Sequence, residues 1–472
     1  MLTTGRTVKM KRNKAQTPGG SEKWYDKFSK KKPSDRCKTL KEEKSGKIYK
    51  KTLKNKNTEN AESVKNPISG SQRKIRVSVS ARTKMFSDEN IPEDAKKILT
   101  EFLSVIQNIR PLNSRQLAKI PMQIRELSHE LTDERPDRRK SYMNETVKLS
   151  SYVRYFMWWN LIRLTKLFSG FSPENFCLED GDVCLDAGSG PLTVVIALWL
   201  SKPELRKKKL TWYCLDISQA ALTLGEEIFL SIAAKTLPET DSFPWKIIRL
   251  KGEMGLPVKQ RVSFITCANM LNELLQYTAL SARSKFDFFA KKFCEDLLSY
   301  ADEKASILLI EPGVPQSARL ISSMRKNFID KGYEPVLPCP HTGECPMTGK
   351  GGQKWCNFAF TTEDSPLPLL KLSADAGLPK DRAVLSFVLV SNRLKKQEGS
   401  ETDILRIVSD PIRLPSAKKG YYACSERGML LAINEEGRDI NSGDKISVEK
   451  LPQNGVYSRD KKTGAAEIFL KK

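Results

Sequence analysis

The chain has 472 residues, with 80 Lys and Arg against 56 Asp and Glu, for a formal charge of +24 at neutral pH. No apolar run approaches the length a bilayer needs, which excludes a membrane-spanning helix from the expectations. Ten cysteines, read without a secretory signal, argue against a disulfide framework. The cationic excess predicts an anionic partner, nucleic acid first and an acidic membrane surface second.

The charge is concentrated at the start. Residues 1–86 hold 25 Lys and Arg against 7 Asp and Glu, with little apolar periodicity and one aromatic cluster of Trp24, Tyr25 and Phe28. This reads as a disordered basic arm that lies along phosphates. Glu22, Asp26, Glu42 and Glu43 interrupt it, unlike the acid-poor, Arg-rich pattern of a transit peptide. That favours a bacterial cytoplasm, with the mitochondrial matrix as the alternative.

Residues 87–170 read as a helical domain. Ile98, Leu99, Phe102, Val105 and Ile106 recur at helical spacing over Asp94 to Ile109, and Leu117, Ile120, Ile124, Leu127 and Leu131 do so over Gln116 to Leu131. Tyr142 to Phe168 is a longer, aromatic helical stretch.

Residues 171–395 alternate strands with helices, which predicts a mainly parallel sheet covered on both faces. At its centre, Val183-Cys184-Leu185-Asp186-Ala187-Gly188-Ser189-Gly190-Pro191 reads as a strand, a tight turn and the start of a helix. Glycines there let a ligand approach the backbone, and the new helix offers unpaired N–H groups. Trp212 to Asp216 reads as the next strand, ending in an acid that can accept hydrogen bonds from both ribose hydroxyls of a nucleoside cofactor. Trp245 to Leu250, Val262 to Cys267, Ser306 to Ile310 and Val384 to Val390 supply further strands. Ligands of such sheets sit outside the carboxyl ends of the strands, so Asp186, Asp216, Asn269 and Glu311 are expected to share one crevice.

Within this region, residues 338–357 form a Cys-rich insertion. Cys339, Cys345 and Cys356 are spaced C-x5-C-x10-C amid prolines and glycines. Three thiols brought together without a regular element suit iron–sulfur or zinc ligation. Zinc would close its coordination with His341, and iron–sulfur with a fourth cysteine. Residues 396–472 read as a separate small β-rich unit, barrel-like, with Cys424 as its single cysteine.

Leu185 to Pro191, Asn269-Met270-Leu271-Asn272-Glu273-Leu274, Ile310-Glu311-Pro312-Gly313 and Cys339-Pro340-His341 with Cys345-Pro346 together resemble the methyltransferase-like assembly factors of the small ribosomal subunit, found in mitochondria and bacteria. The resemblance covers about residues 95–430. It implies an α/β fold with a class I methyltransferase-like Rossmann-type sheet, S-adenosylmethionine as cofactor, and binding to small-subunit ribosomal RNA and ribosomal proteins. It also implies a 4Fe-4S cluster on Cys339, Cys345, Cys356 and Cys424. The expected cofactor contacts are Asp186, Gly188, Gly190, Asp216 and Asn269. Asn269-Met270-Leu271-Asn272 stands where amino-directed methyltransferases carry Asn/Asp-Pro-Pro-aromatic, and the aromatic platform of that motif is missing; Asn269, Asn272 and Glu273 are the candidate catalytic residues. The leading expectation is therefore a monomeric, ribosome-associated factor with a methyltransferase fold. The alternatives are an active rRNA methyltransferase with a structural metal site, or an RNA-binding switch governed by the cluster.

Overall fold

A computed structural model of the chain describes residues 74–132, 142–237, 243–277, 283–349, 354–394, 401–452 and 457–471. The basic arm up to residue 73, with Trp24, Tyr25 and Phe28, lies outside the described residues.

The description begins with a strand where the sequence predicted the end of that arm. β1 (Arg76–Thr83) alternates Val77 and Val79 with polar residues, and Val77 is buried. The arm therefore cannot extend to residue 86. A helical layer follows: α1 (Glu93–Thr100), α2 (Phe102–Ile109), α3 (Ser114–Leu117) and α4 (Ile120–Thr132). The single helix expected over Asp94 to Ile109 is broken at Glu101. Asn113 starts α3 with a reciprocal cap, its side chain accepting from Gln116 N while Gln116 accepts from Asn113 N. Ile120, Ile124 and Leu127 face the core, but Leu117 is exposed, because the chain resets its phase between α3 and α4. Next come α5 (Thr146–Ser151), a π-helical turn over Tyr152–Met157, and α6 (Trp158–Ser169).

The central sheet has eight strands: β2 (Val183–Ala187), β3 (Leu210–Asp216), β4 (Trp245–Lys251), β5 (Val262–Ala268), β6 (Ala301–Pro312), β7 (Glu334–Leu337), β8 (Phe358–Thr361) and β9 (Arg382–Ser391). Their order is β4-β3-β2-β5-β6-β9-β7, and β8 pairs with β9 beyond the end of β7. β2 to β6 are parallel, while β9 runs against β6. Period-two alternation sends neighbouring residues into two cores. Cys184, Trp212, Cys214, Phe264 and Leu308 pack with α6, α7 (Thr193–Ser201) and α8 (Gln219–Thr236). Leu185, Tyr213, Ile265, Cys267 and Ile307 pack with α9 (Met270–Tyr277), α10 (Arg283–Leu298) and α11 (Pro315–Asp330). The remaining helix of this body is α12 (Leu367–Asp375).

The second sheet adds β10 (Thr402–Ile407), β11 (Ile412–Arg413), β12 (Lys419–Ser425), β13 (Gly428–Asn434), β14 (Lys445–Glu449) and β15 (Ala466–Lys471) to β1. Its order is β10-β14-β1-β15-β13-β12-β11, and β10 also pairs with β12, so six strands close on themselves as a barrel. β1 fills the gap between β14 and β15. The β-rich unit is thus completed by a strand that precedes the whole central-sheet body in the chain. Val77, Leu405, Ile407, Tyr421, Ala423 and Ile468 fill its interior.

Candidate functional site

At the end of β2 the chain turns through Gly188 and Gly190, with φ of 70° and 51°. Gly188 N and Ser189 N both donate to Leu215 O on β3, at 2.9 and 3.0 Å. A Cβ on Gly188 would meet the Met270 side chain at 2.6 Å, so only glycine fits this conformation against α9. Leu192 and Asn269, with φ of 58° and 61°, are likewise left-handed, and as non-glycine residues they hold backbone strain at the same strand ends.

A cavity of about 210 Å³ opens there. Gly188, Ser189, Gly190, Thr193, Leu215, Asp216 and Ile217 line one part; Gly252, Glu253 and Met254 after β4, and Ala268 to Met270 with Glu273, line others. Asp216 Oδ2 accepts from Gly190 N at 2.9 Å and Oδ1 accepts from Ser218 N at 2.8 Å, which fixes the carboxylate at the cavity edge. Burial raises its pKa, opposed by those backbone donors.

Of the expected cofactor contacts, Gly188, Gly190, Asp216 and Asn269 lie on this cavity. Asp186 stands behind it. Its oxygens accept from Ser189 Oγ and Thr266 Oγ1, each at 2.7 Å, and burial pushes its pKa up to about 6. It braces the turn. Glu311, also expected in the crevice, is fully buried, and its oxygens accept from Leu271 N at 2.9 Å and Asn272 N at 3.1 Å. It serves the unpaired N–H groups at the start of α9. Burial raises its pKa to about 8. Among the residues weighed for catalysis, Asn269 and Glu273 line the cavity. Asn272 is buried away from it, with Oδ1 accepting from Ser317 Oγ at 3.3 Å.

The helical layer closes the cavity with residues the sequence did not flag: Tyr142, Met143, Tyr152, Asn160 and Leu164. Tyr152 opens the π-helical turn, a distortion with no signature in apolar spacing. Asn144 joins this wall to the sheet, its Oδ1 accepting from Ser218 Oγ at 2.8 Å.

A second cavity, of about 10 Å³, lies where the Cys-rich insertion between β7 and β8 meets the barrel. Cys339, Cys345, Cys356 and Cys424 all line it, with His341, Arg325 and Arg406. Alternation along β12 explains the fourth. Tyr421 and Ala423 point into the barrel, while Tyr422 and Cys424 pack on the methyltransferase-like body. Arg406, the register partner of Cys424 on β10, donates from Nε to Pro338 O at 3.0 Å and from Nη1 to Gly443 O at 2.6 Å. Arg325 on α11 donates to His341 O at 2.6 Å and to Gly343 O at 2.9 Å. Two guanidiniums thus hold the loop by its carbonyls.

Burial pushes the Cys356 and Cys424 thiols up, and the neighbouring cysteines add to the effect. His341 Nε2 stands 3.3 Å from Cys424 Sγ. Among the described residues, no group of three or more His, Cys, Asp or Glu side chains has metal-holding geometry. The four thiols share a wall without forming a coordination sphere. Their chemistry nevertheless fits a thiolate-bound centre: four sulfurs with no carboxylate, beside two buried cations that offset negative charge.

No helix among the described residues is long and apolar enough to cross a membrane. No curated protein matches the chain. Among solved structures, it is similar to a SAM-dependent methyltransferase from Aquifex aeolicus, with 17% identity, covering 49% of this chain and 97% of that one at a TM-score of 0.24. It is similar to a precorrin-6y C5,15-methyltransferase from Geobacter metallireducens, with 11% identity, 46% and 82% coverage and a TM-score of 0.27. A methyltransferase from Pyrococcus furiosus gives 12% identity, 47% and 79% coverage and a TM-score of 0.25. The strand order, with its reversed strand between β6 and β7, establishes the class I methyltransferase-like fold independently of these likenesses. A family model described as mitochondrial small ribosomal subunit Rsm22 matches residues 180–429, more than half of the 472 and a span that holds the glycine turn and all four clustered cysteines. The chain belongs to the Rsm22 family.

Proposed function

We propose that this protein is a mitochondrial small-subunit factor that binds ribosomal RNA, holds S-adenosylmethionine in the strand-end cavity, and carries a 4Fe-4S cluster on Cys339, Cys345, Cys356 and Cys424. The observation that carries the reading is the arrival of Cys424, from the barrel, at the wall lined by the three insertion cysteines. Membership of a family of the mitochondrial small ribosomal subunit supports the small subunit and the mitochondrion over the cytoplasm. The charge of +24 supports an RNA partner.

In this reading Asp216 meets the ribose hydroxyls and the Gly188–Gly190 turn lets the nucleoside approach the backbone. The cluster, when bound, supplies charge-compensated thiolate bonds that pin the insertion to the barrel. Arg325 and Arg406 keep the loop carbonyls in place around it.

Incubating the protein with immature small subunits and radiolabelled S-adenosylmethionine tests turnover. Binding without incorporation supports a factor that holds the cofactor without transfer, and incorporation into RNA supports the active-methyltransferase alternative. Failure to co-sediment with small subunits contradicts the proposal. The switch alternative requires RNA affinity to change when the cluster is removed.

A further inference from the structure

Asn160, from α6, and Asn269, at the corner between β5 and α9, both line the strand-end cavity. Arg163 joins them. Its Nη2 donates to Asn160 Oδ1 at 2.9 Å and to Asn269 Oδ1 at 3.0 Å, while its Nη1 donates to Val384 O at 3.2 Å. A guanidinium has donors only, so the amide atom that meets it has to be oxygen. Both amides are therefore oriented by one cation. Asn269 is held further by its left-handed backbone and by its N–H, which donates to Ile310 O at 2.8 Å. The amide nitrogens of Asn160 and Asn269 have no hydrogen-bond partner among the described residues. Each oxygen gives one lone pair to Arg163, so the N–H groups are the polar atoms of these two side chains left wholly unpartnered for a ligand.

That polarity is the reverse of what an amine acceptor needs. Holding an exocyclic amine in line with a methyl donor takes carbonyl oxygens that accept its N–H groups. We infer that this part of the cavity binds an sp² oxygen of its ligand, a carboxylate or a carbonyl, and that Arg163 is the positioning residue that sets this preference. The inference rests on reading the cavity as an S-adenosylmethionine site. The oxygen has two sources: the amino-acid carboxylate of the cofactor, or the keto edge of a nucleobase.

The test uses Asn160→Asp and Asn269→Asp. Each keeps the shape and an oxygen for Arg163, while replacing the N–H donor by an acceptor. Aspartate also tolerates the left-handed backbone at 269. Wild type and both variants are titrated with S-adenosylhomocysteine and with 5′-methylthioadenosine, which lacks the amino-acid group. They are then titrated with uridine and adenosine monophosphates at saturating S-adenosylhomocysteine. If the cofactor carboxylate is the ligand, S-adenosylhomocysteine weakens roughly 10- to 100-fold and 5′-methylthioadenosine holds. If a nucleobase oxygen is the ligand, S-adenosylhomocysteine holds and uridine monophosphate alone weakens. Wild-type binding of S-adenosylhomocysteine with every affinity unchanged in both variants overturns the donor-wall inference alone. A wild type that binds neither adenosine compound overturns the cofactor reading.

Discussion

The strand-end cavity and the cysteine cavity are built in opposite ways. The first is made chiefly by loops at one edge of one sheet, and its central turn is a contiguous run from Asp186 to Leu192. The second needs two sheets. Three cysteines come from an insertion at the edge of the central sheet, and the fourth from a barrel strand more than sixty residues further on. The first site needs its sheet and the helical layer, and takes no lining residue from the barrel. The second exists only while the barrel is closed and docked.

The sharpest way to break this contrast is to open the barrel. Removing residues 74–83 takes out β1, exposes the edges of β14 and β15, and uncovers the core around Val77. The barrel should lose more than about 5 kcal/mol, enough to unfold it. Metal binding should vanish while S-adenosylhomocysteine binding persists. Calorimetry with metal analysis checks both, and a truncation ending at residue 73 serves as the control.

Arg406→Leu attacks the joint itself. It removes the donors to Pro338 O and Gly443 O and a cation whose pKa burial has drawn down to about 10. A cost of about 3 kcal/mol is expected, with metal retention falling and nucleoside affinity unchanged. Chemical denaturation followed through barrel and sheet signals separates the two effects.

Gly225→Ala is the mirror experiment. A Cβ there would meet Pro191 C at 2.4 Å and Leu192 Cδ1 at 2.7 Å, so α8 and the glycine turn cannot both keep their places. About 2 kcal/mol should be lost. S-adenosylhomocysteine affinity should drop at least tenfold by titration calorimetry, with the metal content unaltered.

The smallest effect is a pH dependence confined to the sheet. Burial raises the folded-state pKa of Glu311 from the ordinary 4.5 to about 8, with Glu273 adding to the rise and Leu271 N, Asn272 N and Arg163 opposing it. The folded state holds the proton more tightly, so the stability this supplies is complete below pH 4.5 and is lost as pH rises through 8. Glu311→Gln should flatten the fall in stability between pH 7 and 8, which amounts to at most about 1.4 kcal/mol.

The same contrast explains what could be read from the chain. The order of strands and helices, the glycine turn and Asp216 were legible because they are local and periodic. Asp186 was read as a ligand because a strand-end acid looks the same whether it faces a cavity or braces a turn; only Ser189 and Thr266 settle which. β1 was missed although Val77 and Val79 alternate with serines, because the lysines and arginines around it dominate the composition. β7 and β8, four residues each, are too short to show a period. Arg163 gave no signal at all, since its role depends on two asparagines brought to it by the fold.

The most direct test of the central claim is the iron, sulfide and zinc content, with the visible absorption, of anaerobically purified full-length protein beside its Cys424→Ser variant. The account predicts four irons and four sulfides per chain, about, in the wild type and loss of both in the variant. Wild-type protein without iron, or a variant that keeps its full iron and sulfide, would contradict it.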